Sequence, residues 1–414
     1  MTRDQRNTFI ASFLGWTLDA FDYFLVIVVL SHIADSFNAT IVQVSIAVTL
    51  TLVLRPVGAL IFGRIADRYG RRIPLMIDVG IYSLIELLTA FSPNLTVFLV
   101  LRALYGIAMG GEWGLGAAMA MEALPPKRRG LFSGILQEGY AVGLLLAGLA
   151  LEFLYVHVGW RGMFVIGVAP ALLILYIRSN VPESAVWQAQ QAQNASRPPA
   201  VRATLASTLR YAPLFVYAVL FMAAFNFMSH GSQDLYPTFL AKQHHFDPSH
   251  VGLVNTITAV GAIAGGIFFG WLSQRFGRRN SILVCAVLGL AIVPLWAHGQ
   301  TIGLLALGGF LMQFMVQGAW GIIPAHLNEI SPAAARGTFP GFTYQIGNLI
   351  ASGTATIIAA LAASRALPGG GADYGSAMGS FILIVFVAVI VMTAIGYFVT
   401  PEHRETNFAE LSPE

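Results

Sequence analysis

Three features of this chain together call for an all-α membrane protein: twelve transmembrane helices arranged as two pseudo-symmetric six-helix bundles. First, of its 414 residues 56% are hydrophobic and only 10% charged, with a mean hydropathy of +0.71. A soluble domain carries about 25% charged residues, so a polytopic membrane protein is the class that fits. Second, the apolar residues fall into twelve stretches, each near the ~20 residues that cross a bilayer, joined by short polar connections. Third, blocks of sequence recur at one large offset, which marks a duplication.

In order, the apolar stretches cover 8–34, 42–64, 74–93, 96–120, 131–156 and 161–179, then 213–240, 250–273, 281–298, 301–325, 339–364 and 377–399. The first helix is expected to be retained, because it lacks the short core and small-residue cleavage site of a secretory signal. It carries Trp16-Thr-Leu-Asp19-Ala-Phe-Asp22-Tyr23. Asp19 and Asp22 share a face about 18 to 23 Å along the helix from Asn7 at 1.5 Å per residue. That depth is near the bilayer centre, where an ionised carboxylate is costly unless paired. Each is therefore a candidate proton carrier, with a permanent ion pair to the fourth helix as the structural alternative.

Only two cations lie within helices, Arg55 before Pro56 in the second and Arg102 in the fourth. Against them stand Asp19, Asp22, Glu86, Glu112, Glu138 and Asp234, so acids outnumber fixed cations. Glu86 and Glu112 suit protonated packing as well as function. Tyr140, Asn255, Gln345 and Asn348 are polar candidates for a cavity lining or for helix-to-helix hydrogen bonds.

The seventh helix carries the densest polar group, Asn226-Phe-Met-Ser-His-Gly-Ser-Gln-Asp-Leu-Tyr-Pro-Thr238. At 3.6 residues per turn, Asn226, Ser229, His230, Gln233 and Asp234 fall on one face. Lipid cannot satisfy such a stripe, so it must face other helices or a water-filled path.

The repeat has an offset of 207. Gly63…Arg68-x-Gly70-Arg71-Arg72 returns as Gly270…Arg275-x-Gly277-Arg278-Arg279, and Gly111-x-Trp113-Gly114 as Gly318-x-Trp320-Gly321. Glu122 with Arg129-Gly130 returns as Glu329 with Arg336-Gly337. The chain thus divides into a first bundle at 1–178, a linker at 179–212 and a second bundle at 213–414, with a substrate site between the bundles near the midplane. The linker is rich in Ala, Gln, Pro and Arg and has no sustained apolar run.

Of the 23 Lys and Arg residues, all but Arg55, Arg102, Arg161, Lys242 and Arg365 fall on one side. This positive-inside asymmetry predicts a multi-pass protein of the cell membrane with both termini in the cytoplasm. The pI near 9.0 follows from that topology, and no nucleic-acid motif accompanies it. The single Cys285 excludes an intrachain disulfide framework. No nucleophile and base arrangement or metal-ligand cluster is visible, so neither an enzyme nor a metal or cofactor is expected.

Several motifs carry a family resemblance over nearly the whole chain. Gly63-Arg-Ile-Ala-Asp67-Arg68-Tyr-Gly70-Arg71-Arg72 resembles the cytoplasmic loop motif of the major facilitator superfamily. Arg102-x-x-x-Gly106-x-x-x-Gly110-Gly111 is similar to its fourth-helix motif, and Pro182-Glu183-Ser184 to the end of its sixth helix. The resemblance implies that Asp67 and the basic cluster form charge contacts that break during alternating access. The second copy has Gln274 where the first has Asp67, so its latch is expected to be weaker.

Asn226, Ser229, His230, Ser232, Gln233, Asp234 and Thr238 also fill all seven fixed positions of the pattern of Jen-type monocarboxylate/proton symporters. This resemblance implies proton-coupled symport of a small monocarboxylate such as lactate or pyruvate, by a monomer in the lipid bilayer. It implies Arg55 as the anchor of the substrate carboxylate and Asp22 with Arg102 as the proton switch. Asp19 and the His230–Asp234 pair stand beside that switch, and Asn226, His230, Gln233, Tyr140 and Asn255 line the substrate site. A proton symporter for a sialic, aromatic or dicarboxylic acid is the nearest alternative, and a non-transporting nutrient sensor the more distant one.

Overall fold

The computed structural model describes residues 1–195, 211–365, 367, 370–403, 405 and 408. All regular structure among them is helical. The crossings are α1 (Arg3–Val28), α2 (Ile41–Tyr69), α3 (Arg72–Ala90), α4 (Leu95–Ala123), α5 (Pro126–Phe153) and α6, a bent pair Tyr155–Ile166 and Ala171–Asn180. In the second bundle they are α7 (Ala212–Lys242), α8 (Pro248–Phe276), α9 (Arg278–His298), α10 (Ile302–Ile330), α11 (Phe339–Ser364) and α12 (Tyr374–Val399). Eleven are continuous spans, and the sixth becomes the twelfth crossing if its halves, which meet at 41°, are counted together.

Local chemistry explains the ends. Thr40 closes a capping box with Gln43 at the start of α2, and Asn94, Asp247, Thr301 and Asp373 cap α4, α8, α10 and α12 with side-chain oxygens. The break in α6 falls at Gly167–Pro170, where proline supplies no donor and glycine lets neighbouring side chains approach. Apolar residues such as Val156, Leu172, Ile384 and Phe398 remain exposed on the outer surface, as suits lipid.

The repeat is visible as geometry. Arg71 Nη2 donates to Glu122 Oε1 at 3.0 Å, and its counterpart Arg278 Nη2 to Glu329 Oε1 at 2.7 Å. Gly70 (φ 94°) and Gly277 (φ 103°) make the left-handed turns that precede these arginines, a conformation only glycine adopts at little cost. Glu183 accepts from the Arg71 N–H at 2.8 Å, and Glu402 from the Arg279 N–H at 2.8 Å. Pro182-Glu183 therefore has a structural counterpart in Pro401-Glu402. Arg71, Arg129, Arg278 and Arg279 are buried, so this part of the basic side is internal structure rather than free surface.

The two bundles meet through the basic-side ends of their helices. α5 crosses α8 where Gly130 and Gly134 lie against Gly270 and Gly266, leaving no room for a Cβ. α2 and α4 meet α11 at Gly63 and Gly114, and the Ala325 N–H donates to Ser133 Oγ at 2.9 Å. Asp67 accepts from the Gly337 N–H (2.6 Å), the Thr338 N–H (3.1 Å) and Thr338 Oγ1 (2.7 Å) at the start of α11. In the second repeat Gln274 Oε1 accepts from the Gly130 N–H at 3.1 Å and from Arg278 Nη2. The linker begins as a helix, Ala185–Ala195, whose Trp187 Nε1 donates to the Asp67 carbonyl at 3.0 Å. Linker residues 196–210 lie outside the described residues.

Candidate transport site

Between the bundles lies a cavity of about 100 Å³. Trp16 and Tyr23 of α1, Leu52 and Arg55 of α2, and Gln137 and Tyr140 of α5 form one wall. The other wall is the polar face of α7 with Gln317 and Trp320 of α10 and Tyr344 and Asn348 of α11. Toward the basic side it is closed by aromatic rings. Tyr140 stacks on Trp16 with centroids 5.6 Å apart, and Tyr344 packs against Trp113 at 4.6 Å and Trp320 at 5.7 Å. Toward the far side it admits solvent, which reaches 33% of the His230 side chain and 38% of Asp234.

Asn226, Ser229, His230, Gln233 and Asp234 all line this cavity, as the helical period requires. His230 Nδ1 lies 3.1 Å from Asp234 Oδ2, and its Nε2 lies 3.1 Å from Asn348 Oδ1 across the gap to α11. Both ring nitrogens thus face oxygens, so an imidazolium can satisfy both. Gln233 Nε2 donates to Gln313 Oε1 of α10 at 3.0 Å, and Gln313 Nε2 to Ser232 Oγ at 2.8 Å. Ser232 therefore braces α7 from behind the lining. Thr238 and Asn255 lie elsewhere, in a separate pocket near the far-side ends of α7 and α8 with Lys242 and Phe246. The expected place of Asn255 in the central lining is not its place in the fold, because that part of α8 faces the outer half of α7.

Arg55 is 3% exposed. Its guanidinium lies over the Tyr23 ring at 4.9 Å, and Nη2 approaches Met109 Sδ at 2.6 Å. No ion pair among the described residues includes it. A buried guanidinium on the wall of a polar cavity has the planar donor geometry that a carboxylate can accept from. The nearest acid on α1, Asp19, is 1% exposed, and neither of its oxygens has a hydrogen-bond partner among the described residues.

Arg102 does not pair with Asp22 as expected. Its Nη2 donates to Glu86 Oε2 of α3 at 2.5 Å, while both Asp22 oxygens lack a hydrogen-bond partner among the described residues. Asp22 and Glu86 crowd the break in α6, where a Cβ on Gly167 would lie 2.8 Å from Glu86 Cγ and 3.0 Å from Asp22 Oδ1. Tyr23 touches both regions, since it lines the cavity and also a narrow gap leading to Arg102 and Tyr105.

A further acid, Asp78 of α3, escaped the sequence reading. It is buried, as is Glu112, whose carboxyl fills the space left by Gly15 of α1. Asp78 sits in an unremarkable apolar stretch, and nothing local marks it. The repeat could have found other missed residues. Gln137 and Tyr344 are 207 positions apart, and both line the cavity. Gln345, the counterpart of Glu138, is buried away from the cavity lining, whereas Glu138 lies against Gly266 between the bundles. Among the described residues no group of three or more His, Cys, Asp or Glu could hold a metal ion.

The family model of the Major Facilitator Superfamily matches residues 12–233 and 235–413. The chain belongs to the major facilitator superfamily. The chain is 30% identical over 383 residues to a carboxylic acid transporter protein homolog of Saccharomyces cerevisiae, a match covering 87% of this chain. It spans 62% of that yeast protein's length. It is 27% identical over 407 residues to the sialic acid transporter NanX of Escherichia coli, covering 95% of this chain and 94% of the relative. Its fold resembles that of the proton:xylose symporter XylE, with a TM-score of 0.76, 17% identity and 98% of each chain covered.

Proposed function

We propose that this transporter carries a small monocarboxylate, of the lactate or pyruvate kind, together with a proton by alternating access. The observation that carries the reading is Arg55, a buried guanidinium on the cavity wall with no ion-pair partner among the described residues. The planar guanidinium forks onto the carboxylate. Asn226, Gln233, His230 and Tyr140 supply partners for a hydroxyl or oxo group.

The proton is assigned to the carboxylates that share too few cations: Asp19 beside Arg55, and Asp22 with Glu86 around Arg102. Asp234 with His230 forms a third titratable pair at the solvent-exposed end. Anion and proton together leave the site with no added charge, so the bundles can rock without carrying net charge through the low-dielectric interior. The Asp67 and Gln274 contacts hold the basic side shut and must break for the opposite state. The basic side is assigned to the cytoplasm of a cell-membrane monomer. Similarity to the sialic acid transporter supports a second reading, in which a larger organic acid takes the same anchor.

The test is uptake of labelled lactate into proteoliposomes, with and without an inward proton gradient, for the wild type and Arg55→Ala. Gradient-driven accumulation that falls more than about tenfold in Arg55→Ala is the expected result. A folded wild type that moves neither lactate nor pyruvate under any gradient removes this reading and brings the larger acids forward.

A further inference from the structure

Beyond α12 the chain returns to the junction between the bundles. Phe408 is 0% exposed, although it lies past the last crossing. Its ring packs against two guanidiniums, with Arg129 Cζ 3.6 Å and Arg336 Cζ 4.5 Å from the ring centroid. These arginines are 207 positions apart, so they are the same position of the repeat, one from each bundle. The apolar wall around the ring is likewise shared. Phe9, Met121 and Leu136 come from the first bundle and Ala325 from the second. Glu402, just past α12, accepts from the Arg278 and Arg279 N–H groups at the start of α9.

We infer that Phe408 is an intramolecular ligand: its ring occupies a site that exists only when the bundles are joined on the basic side, and so stabilises the state open to the far side. Three physical points carry this. Two buried guanidiniums repel each other, and an aromatic ring packed against both offsets part of that repulsion by attracting each to its π electrons. When the bundles rock apart, Arg129 and its wall separate from Arg336 and Ala325, so the ring can keep only one half of its contacts. The site also adjoins the weaker latch, since Arg129 precedes Gly130, whose N–H meets the neutral Gln274 rather than an acid. The ring thus adds cohesion where the second repeat lacks the charge that Asp67 supplies in the first.

The inference rests on the family's alternating access and needs no substrate, so its test is separate from the choice of cargo. Spin labels at Asn38→Cys and Ser364→Cys, in a Cys285→Ser background, report the far-side gap by double electron–electron resonance in lipid nanodiscs. Phe408→Ala is expected to raise the ratio of far-side-closed to far-side-open molecules about tenfold. Phe408→Leu, which keeps apolar bulk but no π face, is expected to fall between Phe408→Ala and the wild type. A folded Phe408→Ala with the wild-type distance distribution overturns the inference. If Phe408→Ala does not fold, a wild-type distribution in Phe408→Leu overturns the guanidinium clasp.

Discussion

Arg55 and Asn255 show how residue identity and residue position separate. Both are polar groups in apolar helices, yet Arg55 lines the central cavity and Asn255 an outer pocket. In the proposed cycle Arg55 grips a planar carboxylate with two parallel bonds, which a lysine ammonium cannot do. Arg55→Lys is therefore expected to raise KM for lactate uptake about tenfold while leaving the charge in place. Asn255→Ala is expected to leave KM and Vmax within about twofold, since it removes no group from the central lining. Initial-rate uptake by both variants checks the pair, and a large KM effect in Asn255→Ala would place substrate outside the central cavity.

The crossing of α5 over α8 depends on what is missing. At Gly134 a Cβ would fall 2.3 Å from the Gly266 carbonyl oxygen, so any side chain there must push the helices apart. Glu138, one turn on, already fills the space beside Gly266, which leaves the helices no direction in which to relax. Gly134→Val is expected to loosen the basic-side junction and expose Ser133, which is 0% exposed and accepts the Ala325 N–H. The measurement is thiol alkylation of Ser133→Cys in the Cys285→Ser background. The rate should rise about tenfold when Gly134→Val is added, and an unchanged rate would mean that the α5–α8 crossing does not hold the basic-side junction together.

At the scale of the whole molecule, the two repeats make unequal contacts where the bundles meet. Asp67 takes three hydrogen bonds at the start of α11, where an anion also gains from the helix dipole. Gln274 receives the matching Gly130 N–H without a charge. Making the copies equal with Gln274→Asp should strengthen the closed basic side by about 1 kcal/mol, the usual worth of a charge at a helix N-terminus. That corresponds to a Vmax for uptake lower by about fivefold, with KM little changed. A Vmax at or above the wild type would show that opening of the basic side is not limiting.

Hydropathy, helical period and the 207-residue repeat are properties of the chain read along its length. From them follow the twelve crossings, the polar face of α7 and the paired basic motifs, because each depends on neighbours within a few turns or on a copied block. The partner of Arg102 is different. Asp22 and Glu86 both lie at a suitable depth, and only the rotation and tilt of α1 and α3 against α4 bring Glu86 to the guanidinium. The same reason hid Asp78 beside Glu112, the shared aromatic floor of Trp113, Trp320 and Tyr344, and Phe408 against Arg129 and Arg336. Sequence alone determined which groups must be kept from lipid; long-range packing decided which of them meet, since helix rotation, tilt and depth are set by contacts between residues far apart in the chain.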